Sequence, residues 1–208
     1  QFRFAGALAC AIAAFGSGAR AQSASALRPP DQVTLYLHSG LKNTDFVDPL
    51  VCALKRVLVA PVETQTIDLP LGPELRATPN QYDVVKVGNT FSSATASDGT
   101  PRSFKYLLVR QDLKLEPYRY AFAASFGGAS RPYPSGVGSI ARLTLTKDKL
   151  SRHQRNELIA FRLYKLILKS IAVTAGLPPG ERCVLSMPMD LDELDRKSAE
   201  FCPEDHTA

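Results

Sequence analysis

The chain has 208 residues, of which 45% are hydrophobic, 22% charged and 8% aromatic. This composition excludes wholesale disorder, a collagen-like repeat and a coiled-coil rod, and the length fits one domain with appendages. Lys and Arg number 25 against 20 for Asp and Glu, but the cations are scattered and form no run, which argues against a nucleic-acid partner.

The first 26 residues have the three-part layout of a secretory signal peptide. Arg3 precedes an apolar run over 4–15, and Gly16, Ser17 and Gly18 break it. Ala19-Arg20-Ala21 offers a cleavage site before Gln22, with a second at Ala24-Ser25-Ala26. The twelve apolar residues are too few to span a bilayer, which takes about 20. Residues 1–21 therefore read as a signal peptide, 22–31 as a linker and 32–208 as the folded domain. No other stretch suits a membrane span, so the expected protein is secreted or periplasmic.

Residues 32–38 alternate, with Val33, Leu35 and Leu37 on one face, and predict a half-buried strand. Over 45–58, Val47, Leu50, Val51, Leu54, Val57 and Leu58 recur at helical steps and predict an amphipathic helix. Residues 62–69 read as a second strand, ended by Pro70 and Gly72. Residues 82–87 read as helix and 89–102 as a Ser/Thr/Gly-rich loop. Apolar runs follow at 106–109, 120–126 and 139–145, the last two separated by the Gly- and Pro-containing stretch 127–138. Gly136-Val137-Gly138 lacks the third glycine of a dinucleotide fingerprint and reads as a turn entering a strand. Cys52, in an apolar helix, reads as a buried free thiol.

The strongest element comes next. Ser151 and Gln154 fit a capping box, residues 152–175 contain no Gly or Pro, and Gly176 stands where such a helix ends. Phe161, Tyr164, Leu168, Ile171 and Ala175 recur at steps of 3 and 4. The 24 residues would run about 36 Å, enough to cross a domain. Asp190, Asp192 and Asp195 miss the EF-hand register and suit a solvated helix face, with Leu191 and Leu194 turned inward. Strands followed by a dominant helix predict an α/β or α+β fold with the helix packed on a sheet.

Residues 162–177 (RLYKLILKSIAVTAGL), Cys183-Val184-Leu185-Ser186, residues 191–197 and Phe201-Cys202-Pro203-Glu204 resemble the archaemetzincins, small metzincin-like zinc peptidases. Upstream, 106–113, 122–129 and 138–143 look like that family's strands, and Gln81-Tyr82 matches a dipeptide it often carries, so the resemblance covers roughly 33–204. It implies a twisted mixed sheet, a long central helix bearing the active site and a small C-terminal subdomain. The family motif is HExxHxxGxxHC, followed by a Met-turn. Aligned on Gly176, its first His falls on Lys169, its Glu on Ser170, its second His on Val173 and its third His at or near Pro179. The Met-turn position holds Leu185, with Met187 and Met189 just beyond.

A metzincin site needs three imidazoles on one zinc and a carboxylate base. A protonated ammonium has no lone pair to give, and Val has no donor atom. Adjacent Lys169 and Ser170 point about 100° apart on a helix and make no dyad. His38, His153 and His206 are too dispersed to form a substitute cluster. The resemblance thus implies an exported pseudopeptidase with no catalytic residues, no metal and no cofactor, which keeps its cleft to bind a peptide or protein. The alternative is a zinc-dependent hydrolase with non-standard ligands. In family geometry Lys169 lies on the cleft floor, where its ammonium either receives a carboxylate such as a peptide C-terminus or reaches out to solvent. Relatives hold a second, structural zinc with four Cys; here Cys183 and Cys202 fall on two of those positions, and Gly180 and Asp205 at or near the others. The resemblance therefore implies a Cys183–Cys202 disulfide in place of that zinc.

Overall fold

In the computed structural model, residues 29–41, 44–100, 102–127, 133–178, 180–181 and 183–202 are described. The signal-peptide reading, most of the linker, and the positions of Pro179, Asp205 and His206 lie outside them. The chain runs β1 (Gln32–His38), α1 (Val47–Val57), β2 (Val62–Ile67), β3 (Arg76–Thr78), β4 (Gln81–Asp83), α2 (Val84–Ala94), β5 (Ser103–Val109), β6 (Leu113–Lys114), β7 (Ala123–Phe126), β8 (Ser135–Ser139), α3 (Arg152–Ala175) and α4 (Leu191–Arg196).

Every residue of β5 is buried, the mark of a strand covered on both faces. Phe104, Tyr106 and Leu108 join β1's Val33, Leu35 and Leu37 beneath α1 and α3. Leu107 and Val109 join Tyr36, Val137 and α2's Val84, Val87 and Phe91 on the opposite face. The result is a helix–sheet–helix sandwich around one mixed sheet of order β2-β1-β5-β8-β7. All its neighbours are parallel except β7, which lies antiparallel against β8 and forms the sheet edge. β3, β4 and β6 make a separate small sheet. This is the α/β architecture, mixed sheet and long helix expected from the sequence.

α3 spans the predicted 24 residues with the predicted caps. The Ser151 Oγ accepts from the Gln154 N–H and the Gln154 side chain accepts from the Ser151 N–H. Gly176 takes a left-handed φ of 111°, which a β-carbon would strain. The helix is buried around most of its circumference: Leu163, Ile167 and Ile171 are inaccessible, and so is Lys165. Phe161, expected inside, is 48% exposed and stacks on Tyr164 instead. The 3- and 4-residue steps had traced one edge of a helix whose apolar surface is much wider.

Three other expectations need correcting. α2 continues to Ala94, into the segment read as loop. Its Ser and Thr residues lower helix propensity, but Val87, Gly88 and Phe91 are buried and packing decides. A β-carbon on Gly88 would stand 2.5 Å from the Phe126 ring, so the glycine lets α2 close on β7. Second, β8 lies at Ser135–Ser139, while 140–145 is mostly turn. Gly136 and Gly138 are strand residues whose missing side chains make room for Tyr106 of the neighbouring strand: its ring lies 2.5 Å from where a β-carbon at 136 would be, and its hydroxyl 2.5 Å from one at 138. Third, Cys52 is a free thiol but exposed. The buried stripe of α1 is Leu50 and Leu54, and Cys52 lies nearly opposite.

The C-terminal segment folds back along α3. Cys183 and Cys202, both buried, are joined in a disulfide, and the Val184 N–H donates to the Glu200 carbonyl. Asp190 caps α4 by accepting from the Glu193 N–H, and Leu194 is inaccessible in the main core. Arg162, 2% exposed, fastens this segment with a paired contact to Asp195 while also donating to the carbonyls of Leu143 and Leu145.

Candidate functional site: a cleft floored by the long helix

Between β7 and the C-terminal segment lies a cleft of about 750 Å³. Its floor is α3, through Leu166, Lys169, Ser170 and Val173. Ala123–Phe126 of β7 and the preceding residues from Leu115 form one wall; Met187, Pro188 and Met189 form the other. The structure thus brings Lys169, Ser170 and Val173, singled out from the sequence, into a single cleft. Position 179 is not among the described residues.

The walls are braced by polar contacts. The Tyr120 hydroxyl donates to the Met189 carbonyl at 2.9 Å, bridging the two sides. Arg142 lies 4.1 Å from the Tyr120 ring centre and is itself held by two hydrogen bonds to Asp112. That contact with Asp112 holds the Arg142 pKa above its ordinary value. Ser170 is committed to structure: its Oγ accepts from Ser125 of β7 at 2.9 Å and donates to the Leu166 carbonyl. Ser170 therefore pins the floor to the wall.

Three lysines cluster behind and within the floor. Lys165 donates to the carbonyls of Leu194, Asp195 and Lys197, and its ammonium lies over the Phe161 ring. Lys197 donates to the Ser186 carbonyl at 2.7 Å. Its pKa is pushed down to about 7, by burial first and then by the charges of Lys169 and Lys165. Burial also lowers the pKa of Lys165 and Lys169. Among the described residues, Lys169 alone of the three makes no hydrogen bond or ion pair. Lys169 is half-buried and lines the cleft.

The donor set does not fit zinc. The cleft positions supply an ammonium, a committed hydroxyl and a hydrocarbon, and the described lining contains no His, Cys, Asp or Glu. Nor do three such side chains come together elsewhere among the described residues. His38 turns its Nε2 to the Leu69 carbonyl, while His153 is exposed near Glu157. Lys197, Tyr120 and the contribution of 115–122 to the wall were not legible as site residues. They come from segments distant in sequence, and no spacing pattern links them to α3.

Three solved structures share this fold. Archaemetzincin from Archaeoglobus fulgidus, complexed with malonate, is 20% identical over 83% of this chain and 96% of its own, with a TM-score of 0.60. Archaemetzincin from Methanopyrus kandleri is 23% identical over 85% and 92%, with a TM-score of 0.61. A zinc-dependent peptidase from Methanocorpusculum labreanum is 20% identical over 83% and 96%, at 0.58. No protein-family model matches the sequence, and no curated protein does. The fold is that of the archaemetzincins, as the sequence resemblance implied.

Proposed function

We propose that this chain is an exported pseudopeptidase: an archaemetzincin fold that has lost zinc chemistry and keeps its cleft to bind peptide. The observation that carries the reading is the floor itself, lined by Lys169, Ser170 and Val173, the residues that the sequence resemblance aligns with two metal ligands and the base. None of them replaces what is missing, since an ammonium repels a dication and Ser170 is held by Ser125 and Leu166. The wall nevertheless suits an extended ligand. β7 is an edge strand with one side free of strand partners among the described residues, and a peptide can add to such an edge through its main chain.

Export is supported by the N-terminal sequence pattern and by the disulfide, which persists in oxidising compartments. Among the described residues no helix is long and apolar enough to cross a membrane. The test incubates purified protein with a mixed peptide library in zinc-containing buffer and follows binding and cleavage in parallel. Saturable binding without cleavage is expected; cleavage abolished by a chelator and restored by zinc would overturn the proposal.

A further inference from the structure

Resting on the reading of the cleft as a peptide site, we infer that it is a C-terminus receptor, in which Lys169 holds the terminal carboxylate of a peptide paired along β7.

The first support is the sign of the charge. The charged side chains lining the cleft are Lys169 and Arg119, both cationic, and no acid lines it among the described residues. The second is the accounting of donors in the lysine cluster. Lys165 and Lys197 do not line the cleft and donate to main-chain carbonyls, Lys165 to three and Lys197 to one. Lys169 makes no such bond, although burial disfavours its charge. A charge partly removed from water without a counter-ion is costly. A carboxylate brought by the ligand supplies that counter-ion through a charge-assisted hydrogen bond.

The rest of the lining matches the chain that would carry the carboxylate. Phe122, Leu166, Val173, Met187 and Pro188 offer apolar contact, and methionine adapts to varied side chains. β7 has four residues, so it can pair with about four residues of ligand, some 13 Å. A terminal carboxylate fits this arrangement because the preceding residues keep their main-chain groups free for β7 and no chain has to continue past the floor.

The experiment measures binding of N-terminally labelled Val-Ala-Val-Leu-Ala to the purified, disulfide-intact protein in three forms: free acid, C-terminal amide, and an amide with Glu in place of Leu. The free acid is expected to bind at least tenfold more tightly than either amide. In Lys169→Gln and Lys169→Met the acid-to-amide ratio should fall to near one, with a cooperative thermal transition no lower than that of the unmodified protein to show that the variants are folded. Equal binding of acid and plain amide to the unmodified protein would overturn the carboxylate inference while leaving peptide binding intact. Glu-containing amide binding as tightly as the free acid would overturn the assignment to a terminus. Absence of binding by all three would overturn the reading of the cleft as a peptide site, and the inference with it.

Discussion

Arg162 offers the sharpest test of how the C-terminal wall of the cleft is held. Its guanidinium is almost inaccessible and makes four hydrogen bonds, two to Asp195 and one each to the carbonyls of Leu143 and Leu145. Arg162→Met keeps the buried aliphatic stem and removes all four. Each bond to the carboxylate is worth about 1.5–3 kcal/mol, and the buried Leu143 carbonyl left without a donor adds about 1–3. Relief from burying a cation, and rehydration of the 39% exposed Asp195, offset part of this. The expected net loss is about 3 kcal/mol. Asp195→Ala should cost more, about 3–5 kcal/mol, because it strands the guanidinium in the interior. The double variant should lose clearly less than the two single losses added together. Urea denaturation at pH 7 with the disulfide intact reads all three. Single losses below about 1 kcal/mol that simply add would refute the reasoning, since they describe a solvated surface pair.

Two further outcomes follow from the same segment. Replacing Cys183 and Cys202 with Ala opens a loop set by their separation of 19 residues, and denaturation should show a loss of about 3 kcal/mol on the chain-entropy account; unchanged stability would count against the pairing. Lys197 loses its proton at about 7 in the folded chain, against an ordinary value of 10.5. Between those values the unfolded chain binds the extra proton, so stability should rise with pH from about 7 toward 10. Lys197→Met should flatten that rise, and an unchanged slope between pH 7 and 9 would contradict the burial of its ammonium.

Much of this architecture was legible in the sequence where local and tertiary signals agree. β1 and α3 were read to the residue because alternation in one and caps in the other coincide with what the core requires. The misreadings occur where packing overrides local preference. The Ser and Thr residues of α2 favour a loop until Phe91 is seen in the core. The glycines of β8 look like a turn until the Tyr106 ring is placed against them. Within the cleft, the floor was legible because it is one helix with a fixed motif spacing. The walls were not, because the contact between Tyr120 and Met189 joins residues 69 apart. The lysine cluster escaped for the same reason: Lys197 reaches Lys169 only when the C-terminal segment folds back along α3.

The central claim is that this fold has parted from zinc. Equilibrium dialysis of the purified protein against buffered zinc, followed by metal analysis, addresses it most directly. The account predicts bound zinc well below one equivalent per chain, with no change when Lys169 or Val173 is replaced by Ala. One tightly held equivalent would contradict it and mean that ligands outside Lys169, Ser170 and Val173 hold the metal.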